Sequence, residues 1–254
     1  MRSILYISIF LCCIACTSKK KKEEIAQSLP ERVAFFELTN NKGLEETNLS
    51  FSEEGAYFQN NTSAYGKGAL PEISSEKGVN VSIWFKNTAV DPIKERMLFN
   101  IHDTINNRKN LSFWLAGNRI TGNINQFSLW AKEYDYAKGG SKEYYDLFRL
   151  EEGKYYFLSI NIFKNEVEVF INGQLYSKYA NIPDTGLQYH TVYLGIQKAT
   201  DGTYQYPFEG TLRNFSIFNQ ALTAPEIKKL SQEAYAVIQP LNDAFELSKF
   251  NLEE

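Results

Sequence analysis

Glu166-Val167-Glu168-Val169-Phe170-Ile171, then Asn172-Gly173, then Gln174-Leu175-Tyr176, is the stretch that decides the fold class. Two period-two runs flank an Asn-Gly pair, and Asn-Gly supplies the positive φ angles of a two-residue type I′ turn. The spacing predicts an antiparallel hairpin and assigns Asn172 to turn chemistry rather than to a ligand. Outward from it the same period returns. Val79, Val81, Ile83 and Phe85 alternate with Asn80, Ser82 and Trp84; Leu111, Phe113 and Leu115 alternate with Ser112, Trp114 and Ala116; Val192, Leu194 and Ile196 share one face of a run from Thr191. Each such strand is expected to bury one face. Gly, Asn, Asp and Pro punctuate the runs every 8 to 15 residues or so, the pattern of an antiparallel sandwich or barrel.

The exception lies near the end. Thr223-Ala224-Pro225-Glu226 is a capping box with Pro in the first turn, and Ile227, Leu230 and Ala234 follow at helical spacing. The helix is expected to end near Gln239-Pro240, with Asn242 capping a last amphipathic turn or two that carries Phe245, Leu247 and Phe250. Roughly 200 residues from Leu29 to this helix suit one large all-β sandwich.

At the other end, Arg2 supplies a positive charge and Ile4 to Ala15 form an apolar run. That run is too short for a spanning helix, which needs about 20 residues, and reads as the apolar core of a signal peptide. The three cysteines are Cys12, Cys13 and Cys16, so a chain cut before Cys16 has no intramolecular disulfide. Thr17-Ser18-Lys19-Lys20-Lys21-Lys22-Glu23-Glu24 follows without apolar periodicity and reads as a solvated tether. The boundaries expected are residues 1–15 signal peptide, 16–28 tether, 29–222 sandwich domain and 223–254 C-terminal helical segment.

Composition narrows the function classes. With 43% hydrophobic, 15% aromatic and 22% charged residues the chain is globular in type, and its formal net charge of −3 gives no nucleic-acid footprint. No Gly-x-Ser-x-Gly elbow, phosphate-cradling Gly-rich loop or zinc-type Cys pair is present. His102 and His190 are the only histidines; His102-Asp103 reads as an exposed loop pair. Glu166 and Glu168 come nearest to the two carboxylates a glycoside hydrolase needs, and they read as an ordinary solvated strand face.

Two resemblances add to this reading. Cys13-Ile14-Ala15-Cys16 resembles a bacterial lipobox, with Cys13 where that family prefers Leu. The resemblance implies lipid attachment at Cys16. Thr17, where lipoproteins kept at the inner membrane carry Asp, implies transfer to the outer membrane, facing the surface or the periplasm. The body of the chain resembles the laminin-G-like, or concanavalin A-like, jelly-roll domains. The blocks that carry this are Val33 to Leu38, Gly55 to Phe58, Val81 to Lys86, Glu166 to Gln174, Tyr193 to Gly195 and, above all, Phe208 to Ile227, with its Arg213-Asn214 and Ala221-Leu222-Thr223. The resemblance implies an all-β, two-sheet antiparallel jelly-roll sandwich with a short C-terminal helix, and ligands on a concave face or at rim loops, sometimes through calcium. Arg213-Asn214 departs from the acidic pair usual in the closing strand. Tyr155-Tyr156-Phe157-Leu158-Ser159 replaces another polar signature. No cofactor is therefore expected; Asp135 and Asp201 are the oxygen donors named for calcium should it bind.

The candidate ligand-binding residues are Trp130, Tyr134, Tyr136, Tyr144 and Tyr145, which cluster in sequence around Gly139-Gly140 with Asp135, Lys138 and Lys142. Aromatic rings are what sugars and protein partners stack upon. The expectation is a non-catalytic, lipid-anchored envelope protein that binds glycan. The alternatives are a structural or adhesive domain binding another envelope protein and, third, a sandwich-fold glycoside hydrolase.

Overall fold

The computed structural model describes residues 28–59, 61–71, 77–88, 94–103, 108–139, 149–186 and 191–250. The first half of the chain gives β1 (Arg32–Phe36), β2 (Leu44–Thr47), β3 (Ser50–Ser52), β4 (Gly55–Phe58), β5 (Tyr65–Ala69), β6 (Val79–Asn87), β7 (Glu95–Asp103), β8 (Arg108–Ala116) and β9 (Arg119–Ile124). The second half gives β10 (Phe127–Leu129), β11 (Glu133–Asp135), β12 (Tyr155–Ile162), β13 (Val167–Ile171), β14 (Gln174–Ala180), β15 (Thr191–Leu194), β16 (Gln197–Lys198), β17 (Tyr204–Gln205) and β18 (Gly210–Phe218). Helices α1 (Ala224–Leu230) and α2 (Tyr235–Phe250) follow.

The larger sheet runs β11-β14-β13-β12-β6-β18-β4-β3, with β1 also on β18; the smaller runs β10-β9-β8-β7-β15-β5-β2; β16 and β17 form a separate ribbon. The chain alternates between the two layers, and β18 returns beside β6 and takes β1 as a partner. This is the two-sheet jelly roll. One pair departs from the antiparallel rule: β11 joins β14 in parallel, because the chain arrives there from β10 on the other sheet.

The Asn-Gly turn forms as its spacing predicts. Asn172 and Gly173 have φ of 50° and 79°, and Ile171 pairs with Gln174. Asn172 also reaches outside the turn, its Oδ1 accepting from the Phe157 N–H at 2.9 Å and fixing the hairpin against β12. Between the sheets lies the main core, in which Phe215 meets Phe36 and Phe99 with ring centroids 6.1 and 5.5 Å apart. Gly68 admits the Phe36 ring, which would lie 2.5 Å from a Cβ placed there.

Three expectations need correction. First, β6 is buried on both faces, not one, as is its neighbour β12. On the outer face of the larger sheet Trp84, Phe157, Phe170 and Phe218 form a second apolar cluster with Leu222, Ile227, Leu230 and Ile238 from the C-terminal segment. Second, the segment holds two helices. Thr223 makes the full capping box with Glu226, but α1 stops at Leu230 and α2 runs through Pro240. Asn242 caps nothing: its Oδ1 accepts from Tyr155 N–H at 2.9 Å, which anchors α2 to β12. Third, His102 is 2% exposed. It lies within β7, paired with Thr191 of β15, and Tyr193 meets its ring edge to face.

Candidate binding site

The segment from Trp130 to Gly139 carries the chain from the smaller sheet to the edge of the larger one. In β11, Glu133, Tyr134 and Asp135 register with Lys178, Tyr179 and Ala180 of β14. Asp135 then closes the turn that follows. Its Oδ1 accepts from Ala137 N–H at 2.9 Å and from Asn181 Nδ2 at 2.8 Å, and Lys138 Nζ lies 3.1 Å from Oδ2. The Asn181 hydrogen bond, helped by Lys138, holds the Asp135 carboxyl below its usual value, so it stays ionised. Tyr179, under this edge, is buried and donates its hydroxyl to the Ala131 carbonyl at 2.5 Å.

A cavity of about 480 Å³ opens here, lined by Glu133, Tyr134, Asp135, Lys138, Gly139, Lys178 and Ala180. It is larger than the cavities of about 260 and 230 Å³ found elsewhere. Two carboxylates and two ammonium groups around one depression, with Tyr134 at its border, can donate to and accept from the hydroxyls of a sugar.

The candidate residues separate. Tyr134 borders the cavity while packing, half-buried, against the main core, and its ring lies 4.5 Å from that of Tyr136. Tyr136 turns inward, edge-on to Phe127 with centroids 5.3 Å apart, and its hydroxyl donates to the Ser128 carbonyl. Trp130, 46% exposed, belongs to the other sheet: it stands at 87° on Trp114, 6.5 Å away, and does not line the cavity. Tyr144, Tyr145, Cys16 and His190 lie outside the described residues. Sequence reasoning missed Lys178 and Ala180, because a parallel pairing between distant strands of one sheet leaves no local signal. It also missed Tyr65, Tyr193 and Tyr204. Tyr65 and Tyr204 stack at 4.7 Å on the outer face of the smaller sheet, with Lys198 Nζ 4.8 Å from the Tyr204 ring. Burial and the neighbouring Tyr65 push the Tyr204 hydroxyl well above its ordinary value.

The carboxylate pair considered for hydrolysis is tied to one cation. Lys178 Nζ lies 2.6 Å from Glu166 and 3.1 Å from Glu168. Asp201 closes its own turn on Thr203, accepting from its N–H at 2.9 Å and its hydroxyl at 2.7 Å. Among the described residues no group of three or more His, Cys, Asp or Glu side chains comes together.

A laminin-G-type family profile, described as the concanavalin A-like lectin/glucanases superfamily, matches residues 60–228. The chain belongs to that superfamily. Solved structures that resemble this chain include the binding domain of botulinum neurotoxin serotype D, at 14% identity and a TM-score of 0.56 over 79% of this chain and 51% of that one. The serotype G binding domain follows at 12% identity and 0.54, over 79% and 50%. A heptameric SAP-like pentraxin from Limulus polyphemus matches at 16% identity and 0.50, over 69% and 80%. The chain thus spans about half the length of the toxin domains it matches. At these identities the likeness shows the shared sandwich and not a shared ligand. A comparison with curated proteins gives no match.

Proposed function

We propose that this protein is a non-catalytic binding module of the cell envelope, held to the outer membrane by lipid at Cys16, that binds glycan at the β11 edge. The observation that carries the reading is the 480 Å³ depression lined by Tyr134, Asp135, Lys138 and Lys178. Support for a binding role comes from the superfamily and from the resemblance to toxin binding domains. The binding residues are Tyr134 with Lys138 and Lys178; Trp130, Tyr136, Tyr144 and Tyr145 complete the set nominated from the sequence. Trp130 serves the neighbouring face.

A thermal-shift screen against poly- and oligosaccharides, with calcium and with chelator, tests this on the full chain carrying Cys16→Ser. A native-state ligand at a hundred times its Kd adds about 2.7 kcal/mol. A reproducible rise with one glycan class supports the reading, and a cooperative melt that no glycan moves contradicts it. The same substitution is expected to release the protein from the membrane fraction.

A second reading, adhesion to another envelope protein, is favoured by the exposed apolar side chains Leu175 (54% exposed), Phe35 and Trp130. Capture of a defined envelope partner without any glycan response would favour it.

A further inference from the structure

The β8–β9 hairpin ends in a depression of its own. Ala116 pairs with Arg119, so Gly117 and Asn118 form a two-residue loop, and Gly117 takes its first position at φ of 61°. A cavity of about 230 Å³ opens against this loop, lined by Ala116, Gly117, Asn118, Arg119 and Arg149. It shares no lining residue with the cavity at the β11 edge. Arg149 arrives from a later segment of the chain and is held there by its neighbour: Leu150 is buried in the main core, and its N–H donates to the Asn118 carbonyl at 2.8 Å. Behind the loop the buried Arg96 donates its Nη2 to the Gly117 carbonyl at 3.1 Å, which fixes the turn from the inside.

The lining carries charge of one sign. Two arginines border the cavity and no acid does. Basic side chains elsewhere close on acids, as Lys67 does on Glu45, Lys86 on Glu54 and Lys178 on Glu166 and Glu168. Among the described residues no acid forms an ion pair with Arg119 or Arg149. Glu151, close to Arg149 in sequence, lies 3.8 Å from Lys154 instead. In a chain whose formal net charge is −3, two arginines without acids in one concavity make a local positive site, and a concavity lined by one sign of charge concentrates the opposite ion. Arg149 is exposed and Arg119 half-buried, so a ligand reaches both without uncovering the core.

We propose that this hairpin tip is a phosphate site, separate from the β11 edge, which takes a phosphate group either free or as the monoester of a sugar. Guanidinium forks donate parallel pairs of hydrogen bonds to phosphate oxygens. A phosphate monoester carries about −1.5 to −2 charges at pH 7 and three outer oxygens, enough for two arginines from different segments. A carboxylate carries a single charge, and one fork fills it. The cavity is below the roughly 300 Å³ at which drug-sized pockets begin, which fits one charged group with a small carrier.

The test is a calorimetric titration of the full chain carrying Cys16→Ser with glucose 6-phosphate, inorganic phosphate and glucose, in about 0.15 M sodium chloride, where loose charge pairing is screened. The expected result is saturable binding of the phosphate compounds and none of glucose. Arg119→Gln and Arg149→Gln are each expected to weaken binding about tenfold or more, and Arg119→Lys, which keeps the charge but not the fork, to give an intermediate loss. Arg149 is exposed, so Arg149→Gln should melt like its parent and decides the matter even where Arg119→Gln does not fold. Lys138→Ala at the β11 edge should leave phosphate binding unchanged. Tighter binding of glucose 6-phosphate than of inorganic phosphate identifies a sugar-borne group, and equal binding the free ion. No saturable binding of either, or binding that Arg149→Gln leaves intact, overturns the proposal.

Discussion

The outer faces of the two sheets solve one problem in different ways. On the larger sheet the off-period positions Trp84, Phe157, Phe170 and Phe218 are large and apolar, and two helices cover them. Beside them Asn80 donates to Ser159 at 2.8 Å and to Asn161 at 2.9 Å, and Asn161 clamps both backbone groups of Leu222, which fixes the entry to α1. On the smaller sheet Asn100 donates to Ser112 at 2.9 Å, Trp130 stands on Trp114, and Tyr204 meets Tyr193 and Tyr65. Both faces are largely buried, yet one is closed by secondary structure and the other by side chains and a short ribbon. An alternating strand therefore reveals its core face, while the residues on its other face indicate what kind of cover it receives.

Substitutions can break or sharpen this contrast. The largest effect is expected at Phe215, which serves the core common to both sheets: Phe215→Ala should lower stability by about 3–5 kcal/mol in urea unfolding. Ile227→Ala removes a buried side chain from the helical cover alone and should cost about 2–5 kcal/mol. Hydrogen exchange should then quicken in α1 and α2 before it quickens in β7 and β8; equal loss in both sheets would show that the cover is not separable. Thr223→Ala, which removes the capping box of α1, should cost about 1 kcal/mol.

The smallest effect concerns Glu54, which lies near the edge of the covered face. Its carboxyl is held below 4.5, chiefly by the hydrogen bond from Lys86. A depressed folded pKa means the contribution is present above the unfolded value and is lost as pH falls through the folded one. Glu54→Gln should therefore flatten the acid side of the stability curve below about pH 4.5 by well under 1 kcal/mol, since the pair is partly solvated. An unchanged acid limb would remove Glu54 from the account.

Much of this architecture was legible because it is written locally. Asn172-Gly173 specifies a turn, Thr223-Ala224-Pro225-Glu226 specifies a helix start, and the alternation of Val79 to Phe85 specifies a strand. What escaped depends on partners distant in sequence. Nothing near His102 announces that β15 pairs beside it, and nothing near Asn242 announces that it bonds the backbone of Tyr155. At the candidate site Tyr134, Asp135 and Lys138 were visible as an aromatic and charged loop. Lys178 and Ala180 were not, since they lie on β14, which meets β11 through a parallel pairing of residues more than forty positions apart. Trp130 was grouped with them by sequence alone; the crossing between sheets separates it.

The most direct test of the central claim is a glycan-array comparison of the unlipidated protein with Tyr134→Ala and with Lys138→Ala, the latter at an exposed side chain that leaves the core untouched. The account predicts binding to at least one glycan class, weakened about tenfold or more by each substitution. A cooperatively folded protein that binds no glycan, or binds one equally well without Tyr134 and Lys138, would contradict it.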